Sequence, residues 1–339
     1  MAERMSVGGA PGGAPGGRPE VVTLGEILAA FTAPGGAPLA DATAFERHIA
    51  GAESNVAVGI VRLGHRATFI GRVGADGLGT AALRRLRGEG VDVSGVRVED
   101  GAATGLLVRE RRVLGPSEVV YHRAGSAGSR LAPEDVDAAR GTIEGARWLH
   151  VTGITLAISA TAADAVRRAV ELARAAGLTV SLDVNLRRKL WADDVAAPVL
   201  RDLARDVDVL LASVDEAAVV TGAAGDDPER LAEAILGLGP SIAVLKLGAD
   251  GALAIERGGA FVRRPAIPVT AVVDPVGAGD AFSAGFIVTR LEGGDLARAL
   301  DVANACGAAA VSAVGDTTGL PDRIELDRLL AASGRDVIR

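Results

Sequence analysis

The sequence of 339 residues predicts an α/β fold: a mostly parallel central sheet covered by helices on both faces, with a small β-sheet lid. Three observations predict it. Apolar, β-branched runs of strand length alternate with segments of helical spacing along most of the chain. Hydrophobic residues make up 49% and charged residues 23%, a composition that fills a core and excludes wholesale disorder. Two stretches, within about 31–50 and 102–125, instead carry strand-like residues and turn residues without helical period.

In chain order, residues 1–18 hold VGGAPGGAPGG and offer nothing to bury, so they read as a disordered tail before a single domain over 19–339. From Glu20 the run VVTLGEIL reads as extended. A helix is expected over Ser54–Leu63, a strand over Ala67–Val73 and a helix near Leu78–Gly88. After Arg147 the alternation resumes: strand WLHV, helix 160–176, strand LTVSLDV, helix near 195–205, strand VDVLLAS, helices within 214–236 and strand SIAVLKL. The two exceptional stretches, with TGLLVRERRV and SEVVYHRAG in the second, read as one small antiparallel sheet, a lid or an interface on the α/β body.

Charge and composition exclude several functions. With a net charge of −7 the chain has no global positive field for a phosphate backbone, so nucleic acid is not an expected partner. A single cysteine, Cys306, forms no internal disulfide, and no run of 18 apolar residues or leader-like start appears, so no membrane partner is expected and the cytoplasm is the expected compartment. Lysine occurs only at 189 and 246, neither inside G-x-x-x-x-G-K-[ST], which excludes a P-loop nucleotide site. The four histidines have no metal-ligand spacing.

The most informative stretch is VVDPVGAGDAFSAGF, Val272–Phe286, read as strand, glycine turn and buried helix. Small residues at Gly277, Ala278 and Gly279 let successive N–H groups point outward from the helix N-terminus, where the dipole favours an anion. A carboxylate at Asp280 repels a phosphate. It suits a base that takes the proton of a hydroxyl attacking phosphorus, although a helix-capping aspartate predicts the same residue.

Other clusters are weaker. Gly77-Leu78-Gly79-Thr80-Ala81-Ala82, with Glu99 beyond it, fits a loose dinucleotide pattern, but a tight turn without ligand fits better. Gly51-Ala52-Glu53-Ser54-Asn55 precedes a helix; Ser54 suits its cap and Asn55 a polar ligand. Tyr121 with Arg123, and Asp183 with Asn185 and Arg187, lie two apart on extended chain, the arginines suiting a carboxylate or phosphate. Ser213-x-x-Glu216 fits either a capping box or a carboxylate on metal-bound water.

Together these motifs resemble the ribokinase-like (PfkB) family of sugar kinases over about residues 20–335. GAGD within DPVGAGDAFSAGF resembles the C-terminal signature, and GAESNVAVGIVRLG with IGRVGADGLG the N-terminal one. Within the family, YHRAGSAGSRLAP, WLHVTGITLAIS, SLDVNLRRKLW, VLKLGADGALAI and AAAVSAVGDTTGLP are most similar to the kinases of 2-keto-3-deoxygluconate. The resemblance implies a three-layer α/β/α body with a β-sheet lid, ATP and Mg²⁺ as cofactors with a monovalent cation such as K⁺ as a further candidate, a sugar or sugar acid as substrate, and a homo-oligomer formed through the lid. It implies Asp280 as catalytic base over an anion hole of Gly277, Ala278 and Gly279. It implies Gly51, Asn55, Tyr121, Arg123, Arg187 and Asp316 around the sugar acid, and Asn185, Lys246, Gly248, Gly251 and Asn304 around ATP. It also implies that Glu216 belongs to the element serving the magnesium shell. Ala50, Ser213, Leu107 and Leu186 depart from the usual Gly, Asn and two Tyr, which bears on the substrate rather than on phosphotransfer. A fructokinase, a sugar-binding regulator without turnover and, remotely, a dehydrogenase are the rival readings.

Overall fold

The computed structural model describes residues 18–111 and 118–332, so the expected tail over 1–18 lies, save for its last residue, outside the described residues. The chain opens with β1 (Val21–Leu24), β2 (Leu28–Thr32), β3 (Glu46–Ala50), α1 (Ala52–Arg62), β4 (Ala67–Gly74), α2 (Gly77–Gly88) and β5 (Val96–Glu99). There follow β6 (Leu106–Arg109), β7 (Val119–His122), α3 (Pro133–Ala138), α4 (Arg140–Glu144), β8 (Trp148–Thr152), α5 (Gly153–Ile158), α6 (Ala160–Ala175) and β9 (Thr179–Asp183). The last third holds α7 (Asp193–Ala204), β10 (Val209–Ser213), α8 (Val214–Thr221), α9 (Pro228–Leu238), β11 (Ile242–Lys246), β12 (Ala252–Glu256), β13 (Val262–Arg264), α10 (Ala278–Leu291), α11 (Leu296–Ala310) and α12 (Arg323–Ala332).

The main sheet runs β13-β12-β11-β10-β9-β8-β1-β4-β5, parallel from β11 to β5 and antiparallel only at β12 and β13. Strand alternation divides its core into two layers. Val21 joins the cluster under α1, α10 and α11, and Val22 the one under α6, α7 and α9. Burial on both faces explains the continuous apolar runs at the central strands. No helix among the described residues is long and apolar enough to cross a membrane.

The smaller sheet, β3-β2-β6-β7, is the lid. Its buried residues Leu28, Ala30, Ala50 and Leu107, with Val119 and Tyr121 against them, line a cavity beneath it. The extended run VVTLGEIL divides into two strands at Gly25, where a Cβ would meet the Glu53 carboxyl at 2.4 Å, and the chain passes from the main sheet into the lid. Two expectations need correction. The lid is mixed rather than antiparallel, because β2 and β6 pair in parallel across the long connection through α1, β4, α2 and β5. The valines before Asp274 form no strand. Val272 and Val273 are exposed, and the Val273 N–H donates to Val311 O (2.8 Å) at the end of α11, so the run has β propensity without a partner strand.

Candidate active site

A cavity of about 520 Å³ lies between the lid and the carboxyl ends of the parallel strands, where open α/β sheets bind ligands. Asp183 at the end of β9, Ser213 at the end of β10 and Lys246 at the end of β11 reach it, as does the entrance of α10. It is lined by Gly51, Asn55, Tyr121, Arg123, Asn185, Arg187, Glu216, Lys246, Gly277, Gly279, Asp280 and Asp316, twelve of the expected positions. Ala278 lies between two of these, in the first turn of α10. Gly248, Gly251 and Asn304 do not line it.

The entrance of α10 is open. Gly277 is the N-cap with φ +79°, and no side chain caps the helix. A Cβ there would lie 2.3 Å from Asp316 O, so both conformation and space demand glycine. The Ala278 N–H leans on Pro275 O at 3.5 Å, while those of Gly279 and Asp280 find no acceptor among the described residues. Such N–H groups carry the positive end of the helix dipole.

Asp280 sits in this first turn, buried, and accepts from Asn55 Nδ2 at 2.8 Å. The same amide donates to Asp316 Oδ2 at 3.3 Å, so Asn55, expected as a free amide for a ligand, instead ties two carboxyls together from α1. Burial pushes Asp280 up to about 7; the Asn55 hydrogen bond and Arg187 oppose that rise, while Asp183 and Asp316 add to it. Burial raises Asp316 as well, against the pull of Arg109 and Asn55. Beneath the turn, Lys246 pairs with Asp183 and donates to Gly279 O at 3.3 Å, and Ser283 Oγ donates to Asp183 Oδ2 at 2.9 Å.

On the lid side, Arg123 is buried, stacks 5.4 Å from the centre of the Tyr121 ring and pairs with the buried Glu26, which also accepts from Ser126 Oγ at 2.9 Å. The Arg123 Nε is buried without a partner. Arg187, in contrast, is exposed at the cavity wall with no ion pair among the described residues. It follows the strained Asn185, the one non-glycine residue with positive φ (+39°) among the described residues. Glu216 holds that turn: its Oε1 accepts from Leu186 N (2.8 Å) and its Oε2 from Ser213 N (2.8 Å), the capping box that the spacing allowed.

The residues outside the cavity wall support it from behind. Asn304 donates to Arg264 O and Pro265 O at 3.3 and 3.1 Å. Gly251, with φ +91°, lets the backbone cross Arg264 O, which a Cβ would meet at 2.0 Å. The other glycine cluster is filled by the chain's own carboxylate: Asp76 caps α2 through Gly79 N (2.7 Å) and binds Thr104 N (2.8 Å), and the turn does not line the cavity. Cys306 is buried, as packing predicts. Glu26, Glu53 and Arg109, which line the cavity, and Asp274, which Arg109 pairs with, escaped the sequence reading because each partners a residue far away in the chain.

Fold and site together define a class: a parallel α/β body whose strand ends, lid and uncapped helix close on one polar cavity. Residues 18–323 match the family model described as pfkB family carbohydrate kinase, and the chain belongs to that family. It is 41% identical to the 2-dehydro-3-deoxygluconokinase of Thermoproteus tenax, over 92% of this chain and 94% of that one. To the 2-dehydro-3-deoxygluconokinase of Bacillus subtilis it is 39% identical, over 92% and 96%. A crystal structure of a putative ribokinase II from E. coli in complex with ATP and Mg²⁺ matches with a TM-score of 0.86 and 29% identity, covering 93% of this chain and 99% of that one. The expected ribokinase-like body with its small lid is therefore borne out.

Proposed function

We propose that this kinase transfers the γ-phosphoryl group of ATP to the 6-hydroxyl of 2-dehydro-3-deoxygluconate, also called 2-keto-3-deoxygluconate. The observation that carries the reaction is the pairing, on one helical turn, of unpartnered N–H groups with a buried carboxyl raised to about 7. A carboxyl of that pKa takes a proton near neutral pH, and N–H groups aimed at the same place stabilise the phosphoryl oxygens as charge develops. The two arginines, and the names of the relatives at about 40% identity, support a sugar acid. Arg187 has its charge free for the carboxylate, and Arg123, already paired with Glu26, offers its spare N–H to a neighbouring oxygen.

Among the described residues no three carboxylate, histidine or cysteine side chains cluster as a metal cage. That fits Mg²⁺, which is commonly held through phosphates and water, with Glu216 facing its water shell from the cavity wall. When bound, Mg²⁺-ATP supplies the phosphoryl group and neutralises its charge. Lys246 and Asn185 line the nucleotide side of the cavity, Gly248, Gly251 and Asn304 shape the loop behind it, and Gly51, Tyr121 and Asp316 face the sugar. The lid excludes water as a competing acceptor. Coupled ADP release across sugar acids and neutral ketoses tests the reading: the sugar acid is expected to give the highest kcat/KM, and preference for fructose would overturn the substrate. Replacing K⁺ by Na⁺ in that assay reads the monovalent-cation requirement.

A further inference from the structure

Arg109 ends the lid strand β6 and is buried, yet its guanidinium leaves the lid. Nη1 and Nη2 donate to Asp274 Oδ1 and Oδ2 at 3.1 and 2.5 Å, while Nε donates back to Thr32 Oγ1 (3.0 Å) at the end of β2. The fork thus joins both inner lid strands to one carboxylate of the body. That carboxylate, almost wholly buried, has two further partners. Its Oδ1 accepts from Val276 N at 3.3 Å, the residue before Gly277, and its Oδ2 from Gly315 N at 3.1 Å, the residue before Asp316. Asp274 therefore fastens the lid, the α10 entrance and the loop carrying Asp316 at a single point.

A buried ion pair is a weak device for stability, because desolvating both ions offsets their attraction, and an apolar pair of similar size packs as well. What an apolar pair lacks is direction: a two-pronged guanidinium on a planar carboxylate fixes distance and angle together. The geometry points to Arg109 as a positioning residue that sets the seat of the lid and the aim of the α10 N–H groups in one motion. Seating the lid over a sugar then completes the phosphoryl site, and an unseated lid leaves it incomplete. This rests on the kinase reading above and adds to it a mechanical link between the sugar lid and the phosphate turn.

The test compares the full-length enzyme with Arg109→Met, Asp274→Asn and the double variant, measuring kcat, KM for the sugar acid, and ADP released per sugar phosphate formed. Misplacing a catalytic group by about 1 Å costs roughly 10²-fold, so Arg109→Met is expected to lower kcat by about that factor, leave the sugar KM within about threefold and raise ADP release above sugar phosphate formed. The double variant should be no worse than the more damaged single one, since both break the same link. If Arg109→Met does not fold, Arg109→Lys, which keeps the charge and loses the fork, carries the same expectations at a smaller loss.

Unchanged kcat in the variant that folds, or additive losses in the double variant, would overturn the inference. So would a risen sugar KM at normal kcat, which would make Arg109 a substrate contact at the cavity wall it lines. These outcomes presuppose an unmutated protein that phosphorylates a sugar. If that protein releases no ADP with any sugar, the kinase reading falls and this inference with it.

Discussion

Two glycine-rich turns open helices that pack into the same core layer, and only one faces the cavity. At α2 the chain provides its own anion: Asp76 accepts from Gly79 N, Thr104 N and Thr104 Oγ1 at 2.7 to 2.9 Å. At α10 the N-cap is a glycine without a side chain, the acid stands three residues later, and it faces Asn55 rather than its own helix end. Glycines in a turn therefore leave N–H groups open to an anion only where no carboxylate of the chain already fills it. The nearest acid decides: an N-cap aspartate closes the turn, whereas Asp280, one turn into the helix, leaves the N–H groups open.

The sharpest break in this comparison comes from adding one methyl group to each turn. Gly277→Ala places a Cβ 2.3 Å from Asp316 O at φ +79°, so the turn must move and its N–H groups with it. Losing a single oxyanion donor typically costs roughly 10²- to 10³-fold in kcat, and a loss of that size is expected here. Gly79→Ala meets Gly74 O at 2.2 Å and should instead lower the melting temperature by the equivalent of about 1–3 kcal/mol of overpacking, with kcat of the folded enzyme retained. Equal effects on kcat from both would erase the distinction.

Next in size is Arg123→Ala. It removes a charge-assisted contact and leaves Glu26 buried without its partner. A hydrogen bond to a charged group contributes about 1.5–3 kcal/mol, so kcat/KM for the sugar acid should fall roughly 10- to 150-fold and for a neutral ketose much less. Equal losses would reduce Arg123 to a support of the lid. Arg187→Ala, which removes the cavity's free guanidinium, should weaken both substrates.

The pH profile is the third. With Asp280 raised to about 7, kcat/KM should fall roughly tenfold per pH unit below about 7, as the base becomes protonated. The sign for stability is the reverse. A folded carboxyl raised above its ordinary value of 3.8 makes the folded state less stable as pH rises from there to about 7, so Asp280→Asn should melt no lower than the unmutated enzyme above pH 7. A flat activity profile between pH 5 and 8 would contradict the assignment of the base.

The smallest effect is expected at the closed turn. Asp76 is held below its ordinary value of 3.8: burial works against that, and the hydrogen bonds from Gly79 and Thr104 outweigh it. Its contribution is present above that pH and lost as pH falls through the depressed value. Asp76→Ala should cost about 1 kcal/mol in thermal stability at neutral pH, within the range for a lost helix cap, and leave kcat unaltered.

The parts of the site legible in the sequence were those written locally. Spacing within GAGD placed Asp280 in a first turn and S-x-x-E foretold the Ser213–Glu216 box, whereas the expected alternation of Asp183, Asn185 and Arg187 on extended chain holds only for Asp183, because β9 ends there and Asn185 turns to positive φ. What stayed hidden were pairings across the chain. Arg109 meets Asp274 at a separation of 165 residues and Asn55 meets Asp280 at 225, distances over which no periodicity carries a signal. Valine content suggested a strand before Asp274 that found no partner, and the antiparallel edge β12–β13 was not read at all, because β propensity depends on which neighbour the fold supplies.

The most direct test of the account is a single-turnover measurement on Asp280→Asn with saturating ATP, Mg²⁺ and the sugar acid. Asparagine keeps an oxygen for Asn55 and removes the base, so the account predicts a chemical step slower by roughly 10²- to 10⁴-fold, with both ligands still bound and the fold intact. A chemical step at the unmutated rate would make Asp280 a buried structural carboxyl and contradict the mechanism at its centre.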